Sequence, residues 1–347
     1  MQKSIAFIYI SVFSCIILAS CQFASEKSLS TEEWAERRHS PSDKNPPPEG
    51  CKTVKYRGGY YPITEAFEGS GRHCVVHDFV QRKARDWIEG GIERGEPRGA
   101  ILKFFRSNNS DLDLQSHLVT GAPFSNTSGI GTLPSKNGFF NLRVHNGKIE
   151  TPGTYGIGVD MIPHVVASDR IKELTEDLPV MKTNGWNSET KNFNEIPWDY
   201  SPPTFYTAEN LQIKSGGRAI IMAGSDNVVR NNTIEVDGRT AVYLYGPRSL
   251  VEGNTFIVHM DPRDKAPLPA ILKLRDADGS IIRNNRFIVK RSGLFRKKEE
   301  EPQAGINLLE SKDVVIEGNV FEQVALPVRK DAASTTAESG NTSQGGR

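Results

Sequence analysis

The sequence has almost no net charge. Forty-three Lys and Arg stand against 42 Asp and Glu, a formal +1, so there is no basic surplus to make a nucleic-acid footprint. Its mean hydropathy of -0.45 excludes a protein that crosses a membrane several times. Apolar residues make up only 37% of the chain, which suits a thin core. Cysteine is scarce, with four residues. Cys15 lies inside an N-terminal apolar run and Cys21 closes it. That leaves Cys51 and Cys74, 23 positions apart. They are a disulfide pair if the compartment is oxidising, and two separate buried thiols if it is not. His117, His145 and His164 lack the spacing of a metal site. What the chain does hold is 31 Gly, 20 Pro and many Asn, the composition of a turn-rich β protein.

Those turns recur in a pattern. Four phrases align: Asn227-Val-Val-Arg-Asn-Asn-Thr-Ile234, Ser249-Leu-Val-Glu-Gly-Asn-Thr-Phe256, Ser280-Ile-Ile-Arg-Asn-Asn-Arg-Phe287 and Val314-Val-Ile-Glu-Gly-Asn-Val-Phe321. A short apolar segment precedes each. The steps between Asn232, Asn254, Asn285 and Asn319 are 22, 31 and 34 residues. A period that lengthens without losing its pattern marks a solenoid, whose insertions go into loops while the cross-section is kept. Earlier segments fit the same frame, giving about seven coils between residues 100 and 324.

The ends read differently. Residues 1–20 have the charged start (Lys3), apolar middle (Ile5 to Leu18) and small-residue finish of an export signal. Leu18-Ala19-Ser20-Cys21 resembles a bacterial lipobox, which implies lipidation of Cys21 and a lipid anchor in the cell envelope. Gln22 after the cysteine favours the outer membrane. Residues 21–50, ending in Pro46-Pro47-Pro48, have the composition of a flexible tether. Residues 51–96 are predicted to form an N-terminal cap. Val76, Phe79, Val80, Ala84, Trp87 and Ile88 recur at helical spacing, and a solenoid end needs a cover for its open edge. The solenoid itself is placed at 97–328. It is interrupted by an insertion at 161–204, read as a functional loop or one packed on the flank. Residues 329–347, rich in Ser, Thr, Gly, Asn and Gln, are predicted to be a disordered tail.

Asp111-Leu-Asp-Leu-Gln-Ser-His-Leu-Val-Thr-Gly121 resembles the "LDLNGHTITG" phrase of right-handed parallel β-helix proteins, and the four Asn phrases resemble the repeats of that pectate-lyase-like superfamily. The resemblance covers about residues 75–324. It implies an all-β fold, a right-handed parallel β-helix, to which the helical spacing at 76–88 adds an N-terminal capping helix. It says less about activity, because this scaffold carries many chemistries and some members have none.

Strand alternation then sorts the side chains. Ile157 and Val159, Ile220 and Met222, Val242 and Leu244, Leu272 and Leu274, and Ile306 and Leu308 point inward. One outward row reads Gly158, Ile221, Tyr243, Lys273, Asn307. The next reads Asp160, Ala223, Tyr245, Arg275, Leu309. The Asn row is structural: stacked amides satisfy backbone groups at a tight turn, and Phe256, Phe287 and Phe321 stack inside.

The outward rows hold the candidate chemistry. β-Elimination from a uronate polymer needs a cation against the carboxylate, a base and an acid for the leaving group. Lys273, Arg275 and Tyr243 have those properties, while Tyr245, Asp160, Asn307, Trp186 and Trp198 are candidates to hold the sugar chain. The same set suits glycan binding without catalysis, or a solvated face with no ligand. Hydrolysis would need clustered carboxylates, and Asp160, Asp226, Asp237, Asp276 and Asp278 do not pair on one aligned strand. His259-Met-Asp-Pro-Arg-Asp264 matches the epimerase phrase "DPHD" only in part and reads as a loop turn. The Arg-His-Gly phrase of the chondroitin- and alginate-lyase branch is absent, and Lys273 and Arg275 share one strand where that branch uses neighbouring coils. The resemblance admits a calcium ion on outward Asp residues but no cluster demands one. The expectation is therefore an exported, lipid-anchored, monomeric β-helix. Its partner would be a polysaccharide, acted on by a lyase or epimerase, or bound by a non-catalytic envelope protein.

Overall fold

The computed structural model describes residues 50–54, 65–68, 71–80, 100–105, 109–121, 128–132, 140–151, 156–159, 204–216, 218–237, 240–260, 270–291 and 304–345. The signal, the tether with Cys21, most of the insertion with Asp160, Trp186 and Trp198, and residues 81–99 lie outside them. No helix occurs among the described residues. All their strands pair in parallel, in one nine-stranded and one 17-stranded sheet. This is a parallel β-helix, and each coil contributes to three faces.

Face A is the nine-stranded sheet, of which Ile157–Val159, Ile220–Ala223, Val242–Tyr245, Ala270–Arg275 and Ala304–Leu309 are consecutive members. The chain then turns into face B, with strands such as Val228–Arg230, Leu250–Glu252, Ile281–Arg283 and Val314–Glu317. A tight turn leads to face C, with Thr233–Asp237, Thr255–Met260, Arg286–Arg291 and Val320–Glu322. Two long strands, Phe140–Thr151 and Thr204–Ser215, run through faces B and C without a break. They bend at Asn146 and Asn210, which take left-handed φ values of 58° and 53°, a conformation Asn tolerates.

The register on face A is the one alternation gives. Ile220 pairs with Val242, Val242 with Leu272, and Leu272 with Ile306. All are fully buried in one continuous core. Phe256, Phe287 and Phe321 stack through it at 4.9 Å between ring centroids. Beside them the Asn row forms a ladder. Each amide donates to the next carbonyl oxygen, Asn232 to Asn254 at 2.9 Å, Asn254 to Asn285 at 2.9 Å and Asn285 to Asn319 at 3.0 Å. Each also donates to a backbone carbonyl of the coil before, as Asn285 does to Val251 at 2.9 Å. Buried turn carbonyls are thereby satisfied without water.

The stack extends past both predicted ends. Over residues 71–80 the start of the expected capping helix is replaced by strands: Gly71–Val75 and Phe79–Val80 are strands, and Phe79 pairs with Val119 and Val80 with Thr120, while Ala84, Trp87 and Ile88 lie outside the described residues. Val75 and Phe79 are fully buried while Val76 and Val80 are 48% and 37% exposed. The apolar residues there serve coil alternation, not one helical stripe. The first strand is Lys52–Val54, so coils begin inside the region read as a cap, and Cys51 and Cys74 are disulfide-bonded across that first step with Cα atoms 5.7 Å apart. The predicted disordered tail is corrected as well. Leu326–Lys330, Thr336–Ser339 and Thr342–Gln344 add a strand to each face. Asn341 adds a rung to the ladder, accepting from the Asn319 N–H at 2.9 Å. Parallel strand bonds and stacked amides need no apolar side chains, so a Ser/Thr/Asn-rich segment suffices for a last coil.

Candidate functional site

Face A brings the predicted outward residues together. Tyr243 pairs with Lys273 and Lys273 with Asn307; Tyr245 pairs with Arg275. The Tyr243 ring lies between two cations from neighbouring coils. The Arg218 guanidinium carbon is 5.1 Å from its centroid and the Lys273 ammonium 5.3 Å, within cation–π range on both sides. Arg275 donates from Nη2 to Glu310 Oε1 at 2.6 Å. The patch is more enclosed than a solvated face would be: Tyr243 is 2% exposed, Lys273 3%, Asn307 7%, Tyr245 8% and Arg275 8%. Ring contact and ion pairing compensate those charges for burial. Asp160, Trp186 and Trp198 fall outside the described residues. Among the described residues no group of three His, Cys, Asp or Glu could hold a metal ion.

A second constellation, on face B, escaped the sequence reading. One outward row runs Asp113, His145, Glu209, Arg230, Glu252, Arg283, Glu317, each paired in register with the next. Glu209 is buried and accepts from Arg143 Nε and Arg230 Nε, each at 2.5 Å. Arg283 donates to Glu252 at 2.8 Å and lies 3.7 Å from Glu317. The signal was present in the aligned phrases, whose fourth positions alternate Arg, Glu, Arg, Glu. Parallel in-register stacking puts those positions about 4.8 Å apart, so opposite charges become neighbours.

At the head of this row a flanking set gathers. His145 Nε2 lies 2.7 Å from Asp111 Oδ1, and Arg72 pairs with Asp113. Burial pushes the Asp113 carboxyl up. The Arg72 guanidinium, the Gln115 N–H and the charge of His145 outweigh it and hold the group below the usual carboxylate range. His117 lies 3.2 Å from Asp78, whose carboxylate also accepts the Leu118 N–H at 2.9 Å. Both contacts fix the turn into face C.

These faces define a parallel β-helix protein whose outward rows carry its polar chemistry. Residues 202–345 match the family described as a right handed beta helix region, and the stack of coils continues toward the N-terminus. A similar solved structure is one titled "The complex structure of XylC with xylose", at 12% identity and a TM-score of 0.39, over 72% of this chain. The chain spans 38% of that structure's own length. No curated protein matches the chain.

Proposed function

We propose that the protein is a carbohydrate-active β-helix of the cell envelope, and that it handles a uronate-containing polysaccharide on the outward side of face A. The observation that supports this is Tyr243 set between Arg218 and Lys273, with Tyr245 and Arg275 one position along. Aromatic faces suit sugar rings and cations suit uronate carboxylates. In the lyase or epimerase form of this reading Arg275 neutralises the carboxylate. Lys273 takes the proton beside it; in elimination Tyr243 protonates the departing oxygen, and in epimerisation it returns a proton to the same carbon from the opposite face. Asn307, Tyr245, Asp160, Trp186 and Trp198 hold the chain. Export by residues 1–20 and lipidation of Cys21 would fix the protein, as a monomer, at the outer membrane. A calcium ion on outward Asp residues would be an accessory.

A second reading, a non-catalytic glycan-binding or structural β-helix, draws on the enclosure of the same residues and on the Arg275–Glu310 pair, which already occupies that cation. The deciding experiment incubates the protein with a panel of uronate polymers. It follows the ultraviolet absorbance of unsaturated products and, by proton NMR, inversion of the uronate. Product or inversion on one polymer supports catalysis. Retention of a polymer without either supports binding, and neither on any polymer removes both.

A further inference from the structure

The turn between faces B and C is built in two ways along the molecule. From Asn232 onward each coil turns an amide inward, into the ladder. In the coils before it the ladder position is held by Leu211 and Gly147, which pair with each other, and the amides stand one residue earlier. Asn146 and Asn210 are exposed, as are Gln115 and Gln212 on the same three coils. Together with Ser116 and Lys148 they line an open groove of about 460 Å³, within the size range of small-ligand sites. Gly147 lies in its floor, where an added Cβ would come 2.2 Å from the Cβ of the buried Leu114.

Apart from Asn146, whose Nδ2 donates to Asp113 Oδ1 at 3.5 Å, these side chains are not used to hold the coil. Among the described residues, no side-chain hydrogen bond engages Gln115, Ser116, Lys148, Asn210 or Gln212. Asp113 closes one wall, but Arg72 and the Gln115 N–H already take its carboxylate, which leaves Lys148 as the cation of the groove, in no direct ion pair among the described residues and with the Asp78 carboxylate in electrostatic reach. Amides and a hydroxyl recognise sugar hydroxyls through paired donors and acceptors, and a single lysine selects for an anion. Three coils at about 4.8 Å each span a short stretch of a sugar chain.

We infer that this groove is a second glycan site, for an acidic sugar unit whose carboxylate meets Lys148 and whose hydroxyls meet Asn146, Asn210 and Gln212. The inference shares with the proposed function only the class of ligand. Among the described residues no aromatic ring lines the groove, so affinity for a short oligosaccharide should be about millimolar, and a polymer would gain by engaging this surface and face A together.

The test is retention of the purified protein in gels cast with a polyuronate or with a neutral polysaccharide. Lys148→Gln and Gln212→Ala are compared with Lys273→Met, and melting temperatures check the fold. Loss of about tenfold in polyuronate retention for Lys148→Gln, with neutral-polymer behaviour unchanged, is expected. Unchanged retention in both groove variants, with loss in Lys273→Met, overturns the groove and leaves face A standing. Loss in the groove variants alone supports the groove and counts against face A. Failure of the wild-type protein to be retained by any polyuronate overturns both.

Discussion

The side chain of Asn231 fills the space into which a side chain at position 253 would grow: an added Cβ on Gly253 would lie 2.5 Å from Asn231 Oδ1. The same relation holds between Asn284 and Gly318, at 2.6 Å. All four residues have left-handed φ values, between 54° and 65°. The residues just before them alternate Arg230, Glu252, Arg283, Glu317. The repeat unit is therefore a pair of coils, one carrying Arg-Asn and the next Glu-Gly. Charge alternation and steric alternation keep the same step.

Gly253→Ala should destabilise the protein by about 2–4 kcal/mol, from the left-handed backbone (about 1–2 kcal/mol) and the contact with Asn231 (about 1–2 kcal/mol). In an Asn231→Gly background only the backbone part should remain. Urea denaturation of the four proteins in this cycle measures the coupling. An equal cost in both backgrounds would show that Asn231 does not crowd position 253.

Asn285 sits mid-ladder. It donates to Val251 O and Asn319 Oδ1 and accepts from both the backbone and side-chain N–H of Asn254, at 2.9–3.0 Å. Asn285→Ala leaves those buried partners unsatisfied and should cost about 3 kcal/mol or more, whereas Asn341→Ala, at the partly buried end of the ladder, should cost about 1 kcal/mol. Denaturation midpoints at matched m-values decide the matter. Equal costs would mean that the ladder is not cooperative along its length.

Much of this was legible in the residues. The Asn phrases and the alternation around them gave the coil, the inward stack and the pairing of Tyr243 with Lys273 and Tyr245 with Arg275, because in-register parallel stacking turns sequence alignment directly into contact. The two ends were misread for one reason: hydrophobicity was used to judge order. Phe79 with Val76 and Val80 looked like a helical stripe, and the Thr/Ser/Asn segment around Asn341 looked disordered. The last coil is held largely by backbone pairing and amide stacking, which leave little hydrophobic trace. The charged row was overlooked because a lone Arg or Glu in each phrase reads as surface decoration. Only their order, compared between phrases, shows that they touch. The amide-lined groove was hidden because it arises where the Asn phrase is missing, and a search for the repeat passes over that place.

Glu209 is the most buried member of the charged row, held from either side by Arg143 and Arg230. Arg230→Met should cost about 3 kcal/mol, because a buried carboxylate loses one of two compensating cations. Adding Glu209→Gln should recover part of that loss, since the amide tolerates burial without a cation. Thermal unfolding of the single and double variants gives the sign. A double variant less stable than Arg230→Met alone would mean that Glu209 contributes through something other than these pairs.

The pH dependence should carry two separate steps. Burial lowers the pKa of His73, Lys52 adds to this, and Asp111 opposes it. Its unfolded value is about 6.5, so in the window below that the unfolded chain binds a proton that the folded one refuses. Stability contributed by neutral His73 is thus present above about pH 6.5 and is lost as pH falls through the lowered value. Asp113 is also depressed in the folded protein; its contribution is present above about pH 4 and is lost only as pH falls further, through the folded pKa. The melting temperature should fall as pH drops below about 6.5 and fall again below about pH 4. In His73→Gln the first step should shrink while the second remains. A variant that keeps the first step undiminished would assign it to another group and leave His73 without a part in it.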